Sequence, residues 1–194
     1  MSDSERLCLT RREALVTGAC SFAAGLALPS AAQAQTRTAA LTVYPVKKII
    51  RLKSLKEGEP VAFTYPLEEQ PNFIVKLGAP AQGGVGPDRD IVAFSALCTH
   101  MGGSLRGRYR HDLKAIGPCP FHFSTFDLTK GGIPVHASAT QNLPQVILRV
   151  EGEDIVAVGV TGLIYGFRHN LKDGTLAKGA TPRRASVPSP VMPG

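Results

Sequence analysis

Two cysteines and two histidines, grouped in one short region, are the residues of this chain best suited to hold metal. They stand as Cys98-Thr99-His100 and Cys119-Pro120-Phe121-His122, with residues 101–118, 18 in all, between the two clips. Each clip offers one soft thiolate and one imidazole. Structural zinc sites usually pair cysteine with cysteine and histidine with histidine along the chain, so this alternation is unusual for zinc. It suits a [2Fe–2S] cluster spanned by both clips, with Cys98 and Cys119 on one iron and His100 and His122 on the other. Gly102, Gly103, Gly117 and Pro118 flank the clips and supply the tight turns that ligand loops need.

The chemistry expected of such a centre follows from its charge. Two neutral imidazoles in place of two thiolates leave the oxidised cluster less negative, so an added electron costs less. Mixed Cys/His centres accordingly lie at roughly −150 to +300 mV, against about −400 mV for all-cysteine plant-type clusters. The expected role is a one-electron relay, with no catalytic residue and no bond made on a substrate by this chain.

The rest of the composition bounds the fold. The chain has 194 residues, no Trp, 20 Gly and 15 Pro, a turn-rich balance that points to short strands and an all-β fold. Its formal charge is +7. No dense Lys/Arg run is interleaved with aromatics, which sets nucleic acid aside, and a basic surface facing an acidic redox partner or an anionic membrane fits better. Arg106, Tyr109, Arg108 and Arg110 crowd the loop between the clips and read as a solvated basic face. His111, His136 and His169 have no partners at ligand spacing and read as surface or hydrogen-bonded residues.

Residues 1–34 read as an export leader. Thr10-Arg11-Arg12-Glu13-Ala14-Leu15 resembles the twin-arginine consensus, a moderately apolar run follows to Leu28, and Ala32-Gln33-Ala34 offers a small-residue cleavage site. The run is short of the roughly 20 residues that span a bilayer; membrane association through an uncleaved leader is the alternative. Cys8 and Cys20 fall in this leader, so only Cys98 and Cys119 remain beyond it. Residues 35–40 read as a linker. Strands are expected at Val43–Leu52, Val61–Tyr65, Phe73–Leu77, Ile91–Leu97, Thr125–Leu128 and Leu163–Phe167, with a hairpin formed by Gln145–Val150 and Asp154–Val160. Residues 172–194, rich in Gly, Ala, Pro and Ser, are expected as a disordered or extended tail.

With these residues in view, the chain resembles the small, Rieske iron–sulfur subunit of arsenite oxidase. The likeness rests on Asp90-Ile91-Val92-Ala93-Phe94-Ser95 leading into Cys98, on Cys119–Asp127, on Ala139-Thr140-Gln141-Asn142-Leu143-Pro144 and on Gly159–Gly166. It covers roughly residues 41–171 and the leader. The resemblance implies a Rieske-type antiparallel β-sandwich or barrel, with cluster loops at about 95–126 in an inserted subdomain. It also implies a large molybdopterin subunit with a second iron–sulfur cluster as partner. Arsenite would be oxidised to arsenate there, and electrons would pass singly through this chain to a periplasmic cytochrome c or a blue copper protein. Many members of the superfamily carry disulfide-linked cysteines where Gly103 and Phe121 stand here, so packing must hold these loops, with Phe121 shielding the cluster. In the superfamily a serine at the place of Ser124 often donates to a bridging sulfide. A tyrosine often donates to the ligand sulfur from the place of Phe126, which has no donor.

Two other electron-transfer readings share the cluster motif: the Rieske subunit of a quinol–cytochrome c reductase and a ferredoxin serving an aromatic-ring dioxygenase. The first usually keeps the disulfide and a firm membrane anchor; the second is cytoplasmic and has no leader. A zinc-stabilised periplasmic binding module is the alternative from another class. The leader makes its own prediction. Changing Arg11 and Arg12 together to Lys should leave cluster-bearing precursor in the cytoplasm, as read by cell fractionation. Full export of the assembled double variant would refute the twin-arginine assignment.

Overall fold

The computed structural model describes residues 43–183; the expected leader and linker, and residues 184–194, lie outside the described residues. The strands are β1 (Val46–Arg51), β2 (Val61–Thr64), β3 (Pro71–Lys76), β4 (Ile91–Ser95), β5 (Tyr109–Arg110), β6 (Ala115–Ile116), β7 (Thr125–Asp127), β8 (Ile133–His136), β9 (Gln145–Glu151), β10 (Asp154–Thr161) and β11 (Ala180–Thr181), with one 3₁₀ turn at Leu52–Ser54. Seven of them form a sheet in the order β11-β1-β10-β9-β4-β3-β2, and β5-β6-β7-β8 form a second sheet. Every pairing between these strands is antiparallel. The all-β expectation holds.

Strands β3 and β4 organise the molecule because both of their faces are buried. Side chains alternate across a strand, so each strand feeds two cores. Phe73, Val75, Val92 and Phe94 point to a core shared with Ile116 and Phe126 of the small sheet, with Leu128 just after β7, and with Cys98 and Cys119. Ile74, Ile91 and Ala93 point to the opposite core, with Tyr65, Val146, Leu148, Ile155 and Ile164. An unbroken apolar run such as Ile91-Val92-Ala93-Phe94 is what a strand covered on both sides requires.

The small sheet is an insertion between β4 and β9, which are themselves neighbours, with Ala93 opposite Val146. The chain leaves the large sheet after Ser95 and returns at Pro144. Ser95 N–H donates to the Pro144 carbonyl at 2.8 Å and closes the neck. Both ligand clips lie in this insertion, which matches the expected cluster-binding subdomain.

Two expectations change, and the small sheet holds strands that the sequence did not announce. Leu163–Phe167 forms no strand. Asn170, almost fully buried, takes the place of a ladder partner. Its Oδ1 accepts Ile164 N–H at 3.0 Å and its Nδ2 donates to the Gly162 carbonyl at 2.8 Å, closing the segment into a loop. The two-residue strands β5 and β6 were too short to show any period in the sequence. Finally, the tail expected from residue 172 is packed as far as β11. Glu68 N–H donates to the Thr175 carbonyl at 2.8 Å, Ala177 N–H to the Pro66 carbonyl at 3.0 Å, and β11 pairs with β1. These ties are made by backbone groups along an edge, so composition carries no trace of them.

The packed segment therefore contributes to stability. Truncation after Leu171 removes those hydrogen bonds and uncovers Leu67, now 2% exposed and bridged to Leu176. The expected loss is about 2–4 kcal/mol, read as a lower urea midpoint. An unchanged midpoint would refute the contribution.

Candidate metal centre

The two clips lie in loops that share one hydrogen-bond pattern. In the first, Cys98 N–H donates to the Gly103 carbonyl and Gly102 N–H donates back to the Cys98 carbonyl, each at 2.9 Å. In the second, Cys119 N–H donates to the Ser124 carbonyl at 2.9 Å and Phe123 N–H to the Cys119 carbonyl at 3.0 Å. Each loop thus starts at a cysteine, turns back on itself four residues later and closes at the fifth. The turning residue has a left-handed backbone in both, Gly102 at φ 69° and Phe123 at φ 61°. Glycine meets that demand without strain. A bulky phenylalanine there costs on the order of 1–3 kcal/mol, a load usually found only where surrounding structure enforces it.

The four side chains meet as two pairs. The thiols of Cys98 and Cys119 are buried, at 0% and 2% exposure, and are not joined as a disulfide. The imidazoles of His100 and His122 stand edge to face with ring centroids 4.6 Å apart, half-buried and exposed respectively. Burial pushes the Cys98 thiol up from its ordinary pKa; the N–H of His100 pulls it down, and the adjacent Cys119 thiol raises it again. Two thiolates side by side in an apolar core need a cation to hold them ionised. Among the described residues no three Cys, His, Asp or Glu side chains converge on one point. Division into a thiol pair and an imidazole pair is what a two-iron cluster imposes and a single zinc ion does not. The residues fit a [2Fe–2S] group, with Cys98, Cys119, His100 and His122 as the side chains that would hold it.

The residues named from the sequence as neighbours of the cluster lie in or beside these loops. Ser124 is fully buried, and its Oγ accepts Ala139 N–H at 3.0 Å. That bond orients the hydroxyl and leaves its hydrogen free to donate. Phe126 is fully buried in the core that contains both cysteines. A Cβ built on Gly103 would lie 2.6 Å from Cys119 Sγ and 3.2 Å from the Phe121 ring. Glycine is therefore what lets the two loops close, and Phe121 packs across the seam where a disulfide would stand. Phe121 remains 57% exposed, so its ring covers the seam from one side with its other face in solvent.

Some contacts around the centre had no signal of their own in the sequence. Thr99 Oγ1 donates to the Gln141 carbonyl at 2.9 Å, and the Tyr165 ring lies against Gly102. Both partners fall in segments that carried the family resemblance, which was the available hint. The other candidates lie apart from the ligand loops. His111 sits beside Glu57 and Lys114, and His169 Nδ1 accepts Leu171 N–H. His136 is exposed on β8. Tyr109 packs half-buried against the core, and burial raises its phenol to about 12. Arg106 and Arg110 are exposed, the latter paired with Asp112.

The inserted ligand loops on an antiparallel β-base define a Rieske-type iron–sulfur protein. Residues 45–158 match the Rieske [2Fe-2S] domain, and the chain belongs to that family, whose domain binds a [2Fe–2S] cluster. Among curated relatives it is 49% identical over 166 residues to the iodate reductase subunit IdrB of Denitromonas iodatirespirans, covering 86% of this chain and 89% of that one. It is 47% identical over 165 residues to the subunit of the same name from Pseudomonas sp. (strain SCT), covering 85% and 86%. Neither relative bears the name arsenite oxidase. Among solved structures, the soluble domain of Rieske protein II (soxF) from Sulfolobus acidocaldarius superposes with a TM-score of 0.59 at 26% identity, covering 70% of this chain and 87% of that one.

The residues beside the thiols should tune the potential. A hydrogen-bond donor near the cluster favours the reduced, more negative state, because that state gains more from the bond. Phe126→Tyr should raise the reduction potential and Ser124→Ala should lower it. A bond worth about 1–1.5 kcal/mol corresponds to roughly 40–65 mV for one electron. Redox titration at fixed pH, with cluster integrity checked spectroscopically, reads the change. An unchanged or lowered potential in Phe126→Tyr, with the hydroxyl shown beside Cys119, would refute it.

Proposed function

We propose that this chain is the electron-relay subunit of a periplasmic molybdenum oxidoreductase that acts on an oxyanion, with Cys98, His100, Cys119 and His122 as its cluster ligands. The observation that carries this reading is the likeness to the iodate reductase subunits at nearly half of all positions across most of both chains, together with a site built for electron transfer alone. Iodate reduction is the substrate reading favoured by those relatives. Arsenite oxidation is the second reading, supported by the segments Asp90–Ser95 and Ala139–Pro144.

When bound, the [2Fe–2S] group supplies reversible one-electron transfer. The chain's own residues do the rest. The apolar core around Cys98 and Cys119 excludes water from the thiol side. His100 and His122 occupy the solvent edge, where a redox partner can approach. The molybdenum, and with it the choice of substrate, would reside on a large partner subunit carrying its own iron–sulfur cluster. A periplasmic cytochrome c or blue copper protein would exchange electrons with this chain. In iodate reduction electrons run from that carrier through this chain to the partner; in arsenite oxidation they run the other way. The twin-arginine motif at Thr10–Leu15 supports export after the cluster has been assembled.

Purification of the tagged full chain from its native host is the test. The expected product is coloured, contains iron and acid-labile sulfide, and brings down a molybdenum-containing subunit. The complex should turn over iodate with a reduced cytochrome c; turnover of arsenite with the oxidised carrier instead would select the second substrate. A zinc-loaded preparation without sulfide, or one with no molybdenum partner, would overturn the proposal.

A further inference from the structure

The segment Thr161–Phe167 is not used by the ligand set, and its expected role as a strand is not realised. It lies against the first ligand loop instead. A Cβ built on Gly102 would fall 2.5 Å from both Cδ1 and Cε1 of Tyr165. The aromatic ring therefore rests on the backbone of the turn that joins His100 to Gly103. Gly102 is also the left-handed residue that closes this turn onto Cys98, so the ring presses where the loop reverses direction.

Ordinary packing does not account for the residue. Tyr165 is 40% exposed, belongs to neither buried core, and its hydroxyl makes no hydrogen bond among the described residues. The rest of its segment stands off from the loop. A shallow cavity of about 180 Å³ is bounded by Thr99, Gln141, Leu163, Ile164 and Tyr165 among others. On this side the loop is touched by the Tyr165 ring at Gly102 and by the hydrogen bond from Thr99 to the Gln141 carbonyl. The opposite side faces Phe121 and the second ligand loop without a covalent tie.

We propose that Tyr165 is a positioning residue for the His100 end of the cluster, its ring clamping the turn at Gly102 from the large-sheet side. This rests on the reading of Cys98, His100, Cys119 and His122 as cluster ligands. The seating of the clamp comes from its own loop, which Asn170 holds closed through Ile164 and Gly162. The large sheet thereby fixes a ligand loop of the insertion at a point remote from the neck.

The experiment uses the full chain isolated with its cluster, in the wild-type, Tyr165→Phe and Tyr165→Ala forms. The readouts are the reduced-state paramagnetic resonance spectrum, the reduction potential, the rate of iron loss to a chelator and the thermal midpoint. Tyr165→Phe keeps the ring and should match wild type in all four. Tyr165→Ala should lose iron about tenfold faster or more, the scale seen when a residue supporting a metal ligand is removed, with a broadened spectrum and a shifted potential. If Tyr165→Ala retains no cluster, Tyr165→Leu replaces it; the same changes are expected there, because the flat ring is gone. Wild-type spectrum, potential and iron loss in the ring-less variant, even with a lowered thermal midpoint, would overturn the proposal. So would a Tyr165→Phe form that behaves like the Ala form, since the hydroxyl would then be the active part. Wild-type protein without a mixed Cys/His signal would instead remove the cluster reading beneath it.

Discussion

The structure depends on the meeting of two cysteine thiols inside an apolar core, brought there by two separate loops. Each is closed by a pair of backbone hydrogen bonds that turn it back on its own cysteine, and each requires a left-handed residue to do so. Gly103 allows the loops to touch, since any side chain there would run into Cys119 Sγ. The remainder of the fold serves this closure: β3 and β4 form the floor of the core, and the small sheet forms its wall.

The same arrangement sets the electrostatics. Residues 95–105 and 115–126 contain no Asp, Glu, Lys or Arg, so the +7 formal charge is carried elsewhere. Fixed local dipoles and the two imidazoles are then what a cluster would sense at short range, and in a low-dielectric setting such dipoles act strongly. The hydroxyl of Ser124 is aimed by a hydrogen bond from the Ala139 N–H. Phe126 contributes apolar bulk and no dipole.

A relay of this kind does not select a substrate. With its thiols and imidazoles committed to a cluster, the chain's contribution is to pass electrons in the direction the potentials dictate. This is why the family is legible from the ligand loops while the substrate is sought on the partner.

The sequence by itself picked out the candidate ligands and the family, because metal ligation depends on residue type and on short spacings that the chain states directly. It also determined the all-β class and the β9–β10 hairpin, through alternation and the Glu151-Gly152-Glu153 turn. The tertiary structure alone decided what touches the ligand loops from afar. Tyr165 meets Gly102 across 63 positions (165 − 102) and Ala139 meets Ser124 across 15; neither pairing leaves a local pattern. The loop at 163–167 was read as a strand because its residues are apolar, whereas the buried side chain of Asn170 supplied the hydrogen bonds that a strand partner would have made. Residues 172–181 lack apolar periodicity and so resemble a tail, yet they are held by backbone groups of the 66–68 turn and the β1 edge. Backbone hydrogen bonding is available to every residue but proline, so only the folded path of the chain could reveal it.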